Sequence, residues 1–180
     1  RVLNAVPESR FLLKVLGAHD PELKEYYLYE FERLGVCRDR VDVYETLRSH
    51  FEHMDIHNKV DIMLDTYPFC GCMTTLEGLW MGVPTVSLVG RETALSRSGL
   101  TILSRVGLEI FAASCPDEYV AKASAFSKEL DHLEKIRAVL RQRTLQSDLC
   151  NPKGFARNVE AAYRSMWRQW CKKQNATATV

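Results

Sequence analysis

No stretch of this sequence approaches the roughly 20 apolar residues needed to cross a bilayer, and the opening residues, Arg1 to Arg10, lack the profile of a secretory leader. The expectation is a cytoplasmic protein. No charge of one sign dominates: 24 Lys and Arg stand against 23 Asp and Glu, a formal charge of +1 without a long one-sign block. A broad nucleic-acid or anionic-membrane surface is therefore not expected, while a small anionic ligand remains open. Internal repeats and low-complexity linkers are missing too. So are the G-x-S-x-G elbow, the P-loop G-x-x-x-x-G-K-[ST] and the G-x-G-x-x-G turn, which removes the best support for hydrolase, ATPase and dinucleotide readings. The six cysteines (Cys37, Cys70, Cys72, Cys115, Cys150, Cys171) are scattered and follow no secretory signal, so a disulfide framework is not expected. Only Cys70 and Cys72 lie close together, and a C-x-C without a second Cys/His pair does not make a structural zinc site. Buried or inert thiols are expected instead. The acceptor-like Asn175-Ala176-Thr177 is a chance match in a cytoplasmic tail.

What is present is one domain's worth of globular chain: 180 residues, 46 % hydrophobic and 26 % charged. Short β-prone runs recur at Arg10–Leu16, Arg40–Tyr44, Asp61–Thr66, Thr85–Val89 and Glu109–Ala113. Segments of helical spacing lie between them at Pro21–Leu34, about Leu47–Asn58, Thr74–Met81 and Ala94–Arg105. Alternation of this kind gives right-handed crossovers, a parallel sheet and helices on both faces, so the predicted fold is α/β and Rossmann-like. After Ala113 only helices are predicted: one from Pro116 toward Leu130 with Ser114 as its cap, then Leu133–Gln146, then Lys153–Cys171. In the last, Phe155, Val159, Ala162, Tyr163, Met166 and Trp170 form an apolar stripe expected to pack across the domain. The domain is expected to span 1–172, with 173–180 a frayed tail. The opening RVLNAVPESR reads as a helix already under way, as in a piece of a longer protein.

Ligands of such folds bind at the carboxyl ends of the strands. The richest junction follows DIMLDT, where Gly71 permits close backbone approach and Thr74 and Thr75 open a helix. Two readings stand there: a simple turn with a threonine cap, or a helix N-terminus holding a phosphate. Glu77, early in that helix, either complements the helix dipole or accepts hydrogen bonds from a ribose. Leu79 and Trp80 are expected to face the core, with Gly82 ending the helix. After RVDVY, His50, His53 and His57 share one helical face. No fourth ligand and no H-E-x-x-H accompany them, so a solvated face, or His53 alone near a nucleotide, is expected rather than a metal site. The third junction, Gly90, Arg91, Ser96 and Arg97 after TVSLV, suits a sugar or diphosphate, or is surface charge.

The stretch DIMLDTYPFCGCMTTLEGLWMGVPTVSLVG, the following SRSG and the ending LCNPKGFARNVEAAYRSMWRQWC together resemble the C-terminal lobe of the O-GlcNAc transferase and SPINDLY family, over nearly the whole chain from Val6 to Cys171. The resemblance implies a GT-B architecture: two Rossmann-like lobes, a nucleotide-sugar donor held mainly on the C-terminal one, no cofactor and no metal. By the same resemblance, Gly71, Cys72, Met73, Thr74 and Thr75 surround the donor diphosphate, Glu77 binds the ribose, and Arg48 and His53 border the base and ribose. It also implies an F-N-x-x-K lysine just before Arg1, and acceptor-binding repeats and a second lobe upstream. In relatives of the animal enzyme a histidine and a threonine stand where this chain has Cys72 and Met73. The implied reaction is inverting, metal-independent transfer of GlcNAc from UDP-GlcNAc to protein Ser/Thr hydroxyls, with 1–180 alone binding donor weakly and catalysing nothing measurable. The alternatives are SPINDLY-type fucose transfer from GDP-fucose, a non-catalytic nucleotide-sugar-binding module, and a sugar-nucleotide epimerase, against which the closing helix argues.

Overall fold

A computed structural model of the chain describes residues 1–45 and 49–177, the side chains of 175–177 excepted. Strands and helices alternate as α1 (Val2–Ala5), β1 (Phe11–Val15), α2 (Pro21–Arg33), β2 (Val41–Glu45), α3 (His50–Asp55), β3 (Met63–Leu64), α4 (Met73–Trp80), β4 (Thr85–Leu88), α5 (Ser98–Arg105) and β5 (Ala112–Ala113). Helices α6 (Pro116–Phe126), α7 (Leu130–Gln146) and α8 (Pro152–Thr177) complete the chain. Local chemistry sets several of these ends. Asp20 caps α2 by accepting from the Glu22 N–H, and Pro21 supplies a first-turn residue that needs no donor. Helix α4 stops at Gly82, whose φ of 85° is open to glycine at little cost, and the Val83 N–H returns to the Gly78 carbonyl at 2.8 Å.

All pairings are parallel: β1 with β2 (Phe11 opposite Val41, Lys14 opposite Tyr44), β3 with β4 (Met63 opposite Thr85), and β4 with β5 (Ser87 opposite Ala112). Among the described residues these make two sheets, β1–β2 and β3–β4–β5, where the sequence predicted one. The predicted strand Asp61–Thr66 shrinks to two residues because the Asp65 carboxylate accepts from the Thr66 and Gly71 N–H groups, turning the backbone out of the ladder. The predicted Glu109–Ala113 strand likewise begins as a 3-10 turn and pairs only over Ala112–Ala113.

The main core lies between the three-stranded sheet and α4 to α7, around Leu79, Val86, Leu103, Leu108, Phe111 and Leu140. A smaller one joins Leu3, Val36 and Val41 under the first sheet. Ser114 is not the N-cap that the sequence predicts; Cys115 holds that position, and Ser114 instead donates its N–H and its hydroxyl to Glu118. Glu118 is thereby held down to a pKa of about 2, first by the Ser114 hydroxyl, then by the Ser114 N–H and by Lys122. Nor does α8 pack across the domain. It meets the rest of the chain chiefly at the Asp148–Cys150 turn, and leaves Phe155, Tyr163, Met166, Trp167 and Trp170 exposed, the two indoles stacked at 5.2 Å. Helical spacing reveals a stripe that seeks cover but not what covers it. The helix continues to Thr177, into the stretch 173–180 expected to fray. Among the described residues no helix is long and apolar enough to cross a membrane.

Candidate functional site

The polar residues of interest gather where the strands end. Asp65, directly after β3, is the organising group. One carboxylate oxygen accepts from the Gly71 N–H at 2.6 Å and the Thr66 N–H at 3.0 Å, and the other accepts from the fully buried Ser87 hydroxyl at 2.6 Å. The Asp65 carbonyl accepts from the Tyr119 hydroxyl of α6 at 2.9 Å, and burial pushes that phenol well above its ordinary pKa. Gly99 in α5 packs directly over this pair: a Cβ there would lie 2.0 Å from Ser87 Oγ and 2.8 Å from Asp65 Oδ2. These bonds fix the 66–72 loop and so aim the start of α4. The sequence reading did not single out Asp65. Its signal was an acidic residue closing an apolar strand six residues before a glycine.

Thr74 and Thr75 do not cap α4, contrary to one sequence reading, because they lie inside its first turn. Cys72 is the N-cap and gives no side-chain hydrogen bond. The threonine hydroxyls instead crowd Gly71, where a Cβ would meet Thr74 Oγ1 at 2.7 Å and Thr75 Oγ1 at 2.8 Å. The first intrahelical bond runs from the Leu76 N–H to the Cys72 carbonyl, so the N–H groups of Met73, Thr74 and Thr75 have no partner within the helix. Cys72, Met73 and Thr74 are exposed and Thr75 is buried. A helix start with no side-chain cap, whose first three N–H groups lack intrahelical partners, is suited to an anion.

One turn on, Glu77 Oε2 lies 2.9 Å from His53 Nε2 of α3, with the two side chains only 19 % and 21 % exposed. The other ring nitrogen, His53 Nδ1, is 2.7 Å from Lys14 Nζ of β1. Burial lowers the Lys14 pKa, an effect the Glu77 charge opposes. His50 stacks on His53 with centroids 6.3 Å apart, and the His57 ring meets it edge-on at 6.0 Å. His57 is buried, its Nδ1 3.0 Å from the Met54 carbonyl oxygen, and burial lowers its pKa. With both His53 nitrogens and one of His57 so engaged, the shared histidine face is a packed stack. Arg48 falls outside the described residues. Lys14 was not singled out from the sequence, although a charge inside the apolar run FLLKVL marked it.

The third junction is a self-bonded loop. The Gly90 N–H donates to the Ser96 carbonyl at 2.8 Å, and the buried Ser96 hydroxyl donates to the Thr93 carbonyl at 3.0 Å. Ser96 therefore closes the loop rather than presenting a hydroxyl to solvent. Arg97 donates to the Arg91 carbonyl at 2.9 Å, and both arginines are exposed. Cys70, buried beneath, points its thiol at the Ser96 and Leu88 carbonyls, and burial pushes its pKa up. Tyr67, next to Pro68 across a cis peptide, donates to Glu92 at 3.2 Å and ties this loop to the one before α4. All six thiols are free; Cys70 is buried, while Cys37, Cys72, Cys115 and Cys150 are exposed.

The profile of glycosyl transferase family 41 matches residues 1–159. A barley (Hordeum vulgare) protein described as a probable UDP-N-acetylglucosamine–peptide N-acetylglucosaminyltransferase SPINDLY is 37 % identical over 171 residues, which cover 95 % of this chain and 18 % of that protein. The Caenorhabditis elegans UDP-N-acetylglucosamine–peptide N-acetylglucosaminyltransferase is 28 % identical over 172 residues, 94 % of this chain and 14 % of its own length. The structure of a mutant Thermobaculum terrenum O-GlcNAc transferase superposes with a TM-score of 0.87 at 31 % identity, covering 96 % of this chain and 33 % of that one. The chain thus spans about a fifth of the length of the curated relatives it matches. It belongs to glycosyl transferase family 41, and its fold is the C-terminal lobe of a GT-B glycosyltransferase with a helical tail.

Proposed function

We propose that this member of family 41 is the donor-binding lobe of a protein O-glycosyltransferase that moves GlcNAc from UDP-GlcNAc to Ser or Thr hydroxyls with inversion, needing neither metal nor cofactor. The observation that carries the reading is the uncapped start of α4, one turn from a carboxylate fixed by His53. The N–H groups of Met73, Thr74 and Thr75 and the helix dipole meet the diphosphate, and they bind it best when bond cleavage concentrates charge on it as leaving group. Glu77 accepts from the ribose hydroxyls, as acids do in dinucleotide sites. Gly71 and Cys72 shape the approach, and Arg91 and Arg97 stand exposed at the neighbouring loop, where guanidinium groups suit phosphate. His53 borders the base and ribose, the role the family resemblance also gives Arg48, which lies outside the described residues. The names of the matched relatives support UDP-GlcNAc as donor and a peptide as acceptor. The acceptor is a cytoplasmic protein held by parts of the enzyme outside residues 1–172, and this lobe serves the leaving group.

Calorimetric titration of the full-length protein with UDP and with GDP tests the reading. Clear UDP preference, lost in Glu77→Gln, is expected. GDP preference would move the donor to a fucose nucleotide, and binding of neither would leave the fold without the activity.

A further inference from the structure

We propose that Lys14 is a positioning residue for ribose recognition: through His53 it holds the Glu77 carboxylate in the orientation that meets the ribose hydroxyls. The inference rests on the reading above that Glu77 takes the ribose. Three separate elements supply the line, Lys14 from β1, His53 from α3 and Glu77 from α4, at 2.7 Å and 2.9 Å. An ammonium group only donates, so Nδ1 of His53 must accept from it and the ring hydrogen resides on Nε2. That hydrogen is then directed at Glu77 Oε2. Remove the ammonium and the imidazole is free to carry its hydrogen on either nitrogen; with it on Nδ1, Nε2 sets a lone pair against the carboxylate and Glu77 turns away. With Lys14 present, Oε2 is engaged, and among the described residues no group bonds Oε1, which keeps its lone pairs for hydroxyl donors.

The position of Lys14 in the fold supports a directed role. Phe11 belongs to the small core under the first sheet, and strand alternation puts Lys14 on the opposite face beside its partner Tyr44. That face looks toward α3, so a residue of the two-stranded sheet reaches the binding helix of the three-stranded one by way of one imidazole. A lysine kept there against the cost of desolvation, with no carboxylate in direct contact among the described residues, is poorly explained as a stabilising ion pair.

The test compares UDP with 2′,3′-dideoxy-UDP, titrated into the full-length protein and its variants. Hydrogen bonds from the ribose hydroxyls to a charged acceptor give the wild type a preference for UDP of roughly ten- to hundredfold. Glu77→Gln shrinks that ratio, which checks the underlying reading. Lys14→Met is expected to shrink it at least threefold while affinity for the dideoxy nucleotide stays within about twofold, and Lys14→Arg to preserve it. General loosening of the fold would weaken both nucleotides together and leave the ratio intact. His53→Phe breaks the same line without touching Lys14, and since His53 itself borders the ribose only a kept ratio there is decisive; Lys14→Leu carries the test if Lys14→Met does not fold. A ratio lowered by Glu77→Gln but kept in Lys14→Met or His53→Phe overturns the proposal and leaves the Glu77 reading standing. A wild type indifferent to the hydroxyls overturns both.

Discussion

Replacing Asp65 by alanine should cost more than any other single change at the site, and the amount follows from its three hydrogen bonds. The Thr66 N–H is exposed and rehydrates, so its loss matters little. The Ser87 hydroxyl is fully buried, and the Gly71 N–H is part-buried, so each loses an acceptor that water replaces poorly. Bonds to a charged acceptor contribute about 1.5–3 kcal/mol each, so two give roughly 3–6 kcal/mol, and partial rehydration at Gly71 brings the expectation to about 3–4 kcal/mol. Against a typical domain stability of about 5–15 kcal/mol that is a large fraction. Asp65→Asn keeps an oxygen for Gly71 and an amide that donates to Ser87 Oγ, so about 1–2 kcal/mol is expected. Urea unfolding measures this as a shifted midpoint at constant slope. A double-mutant cycle with Ser87→Ala should return a coupling of about 1.5–3 kcal/mol, since both changes remove one contact. An Asp65→Ala midpoint within about 1 kcal/mol of wild type, or additive effects in the cycle, would refute the assignment of Asp65 as the loop's organiser.

Two further changes test the surroundings. Ser114 and Lys122 hold Glu118 down from 4.5 to about 2 in the folded chain. The resulting stability is fully present above the ordinary carboxylate pKa and is lost as pH falls toward 2, so Glu118→Gln should unfold with a shallower pH dependence between pH 4.5 and 2 in urea titrations. An unchanged slope would mean the Ser114 contacts do not persist in solution. On α8, Trp167 and Trp170 are 63 % and 53 % exposed beside Met166 and Tyr163, a contiguous apolar face. At micromolar concentration the isolated chain is expected to scatter light as a species heavier than its 20.6 kDa monomer. Trp167→Glu with Trp170→Glu should restore the monomer without moving the urea midpoint, whereas a wild type that is already monomeric would show that the face is not adhesive.

The alternation of strands and helices was legible because its signals are local: apolar β-prone runs, Pro21 behind Asp20, Gly82 past the last turn of α4. Ladder lengths were not legible, because they depend on what a side chain does across space. The run DIMLDT reads as six residues of strand, yet Asp65 bonds forward to Gly71 and ends the ladder at Leu64. The same blindness affected caps. Thr74 and Thr75 have cap chemistry, but helix α4 starts at Met73, so they fall within its first turn. At the site, Glu77 and His53 could be named from the sequence, while the bond joining them is a contact across 24 positions. Lys14 was the hardest to see. In a strand whose neighbours are Leu12, Leu13 and Val15, a lysine reads as an edge or solvent residue, and pattern alone treats it as an exception to burial. Only the fold shows that the chain end of β1 abuts α3, where an ammonium finds an imidazole acceptor. The residue that breaks the apolar pattern of β1 therefore has its partner 39 positions away, outside any window in which that pattern is read.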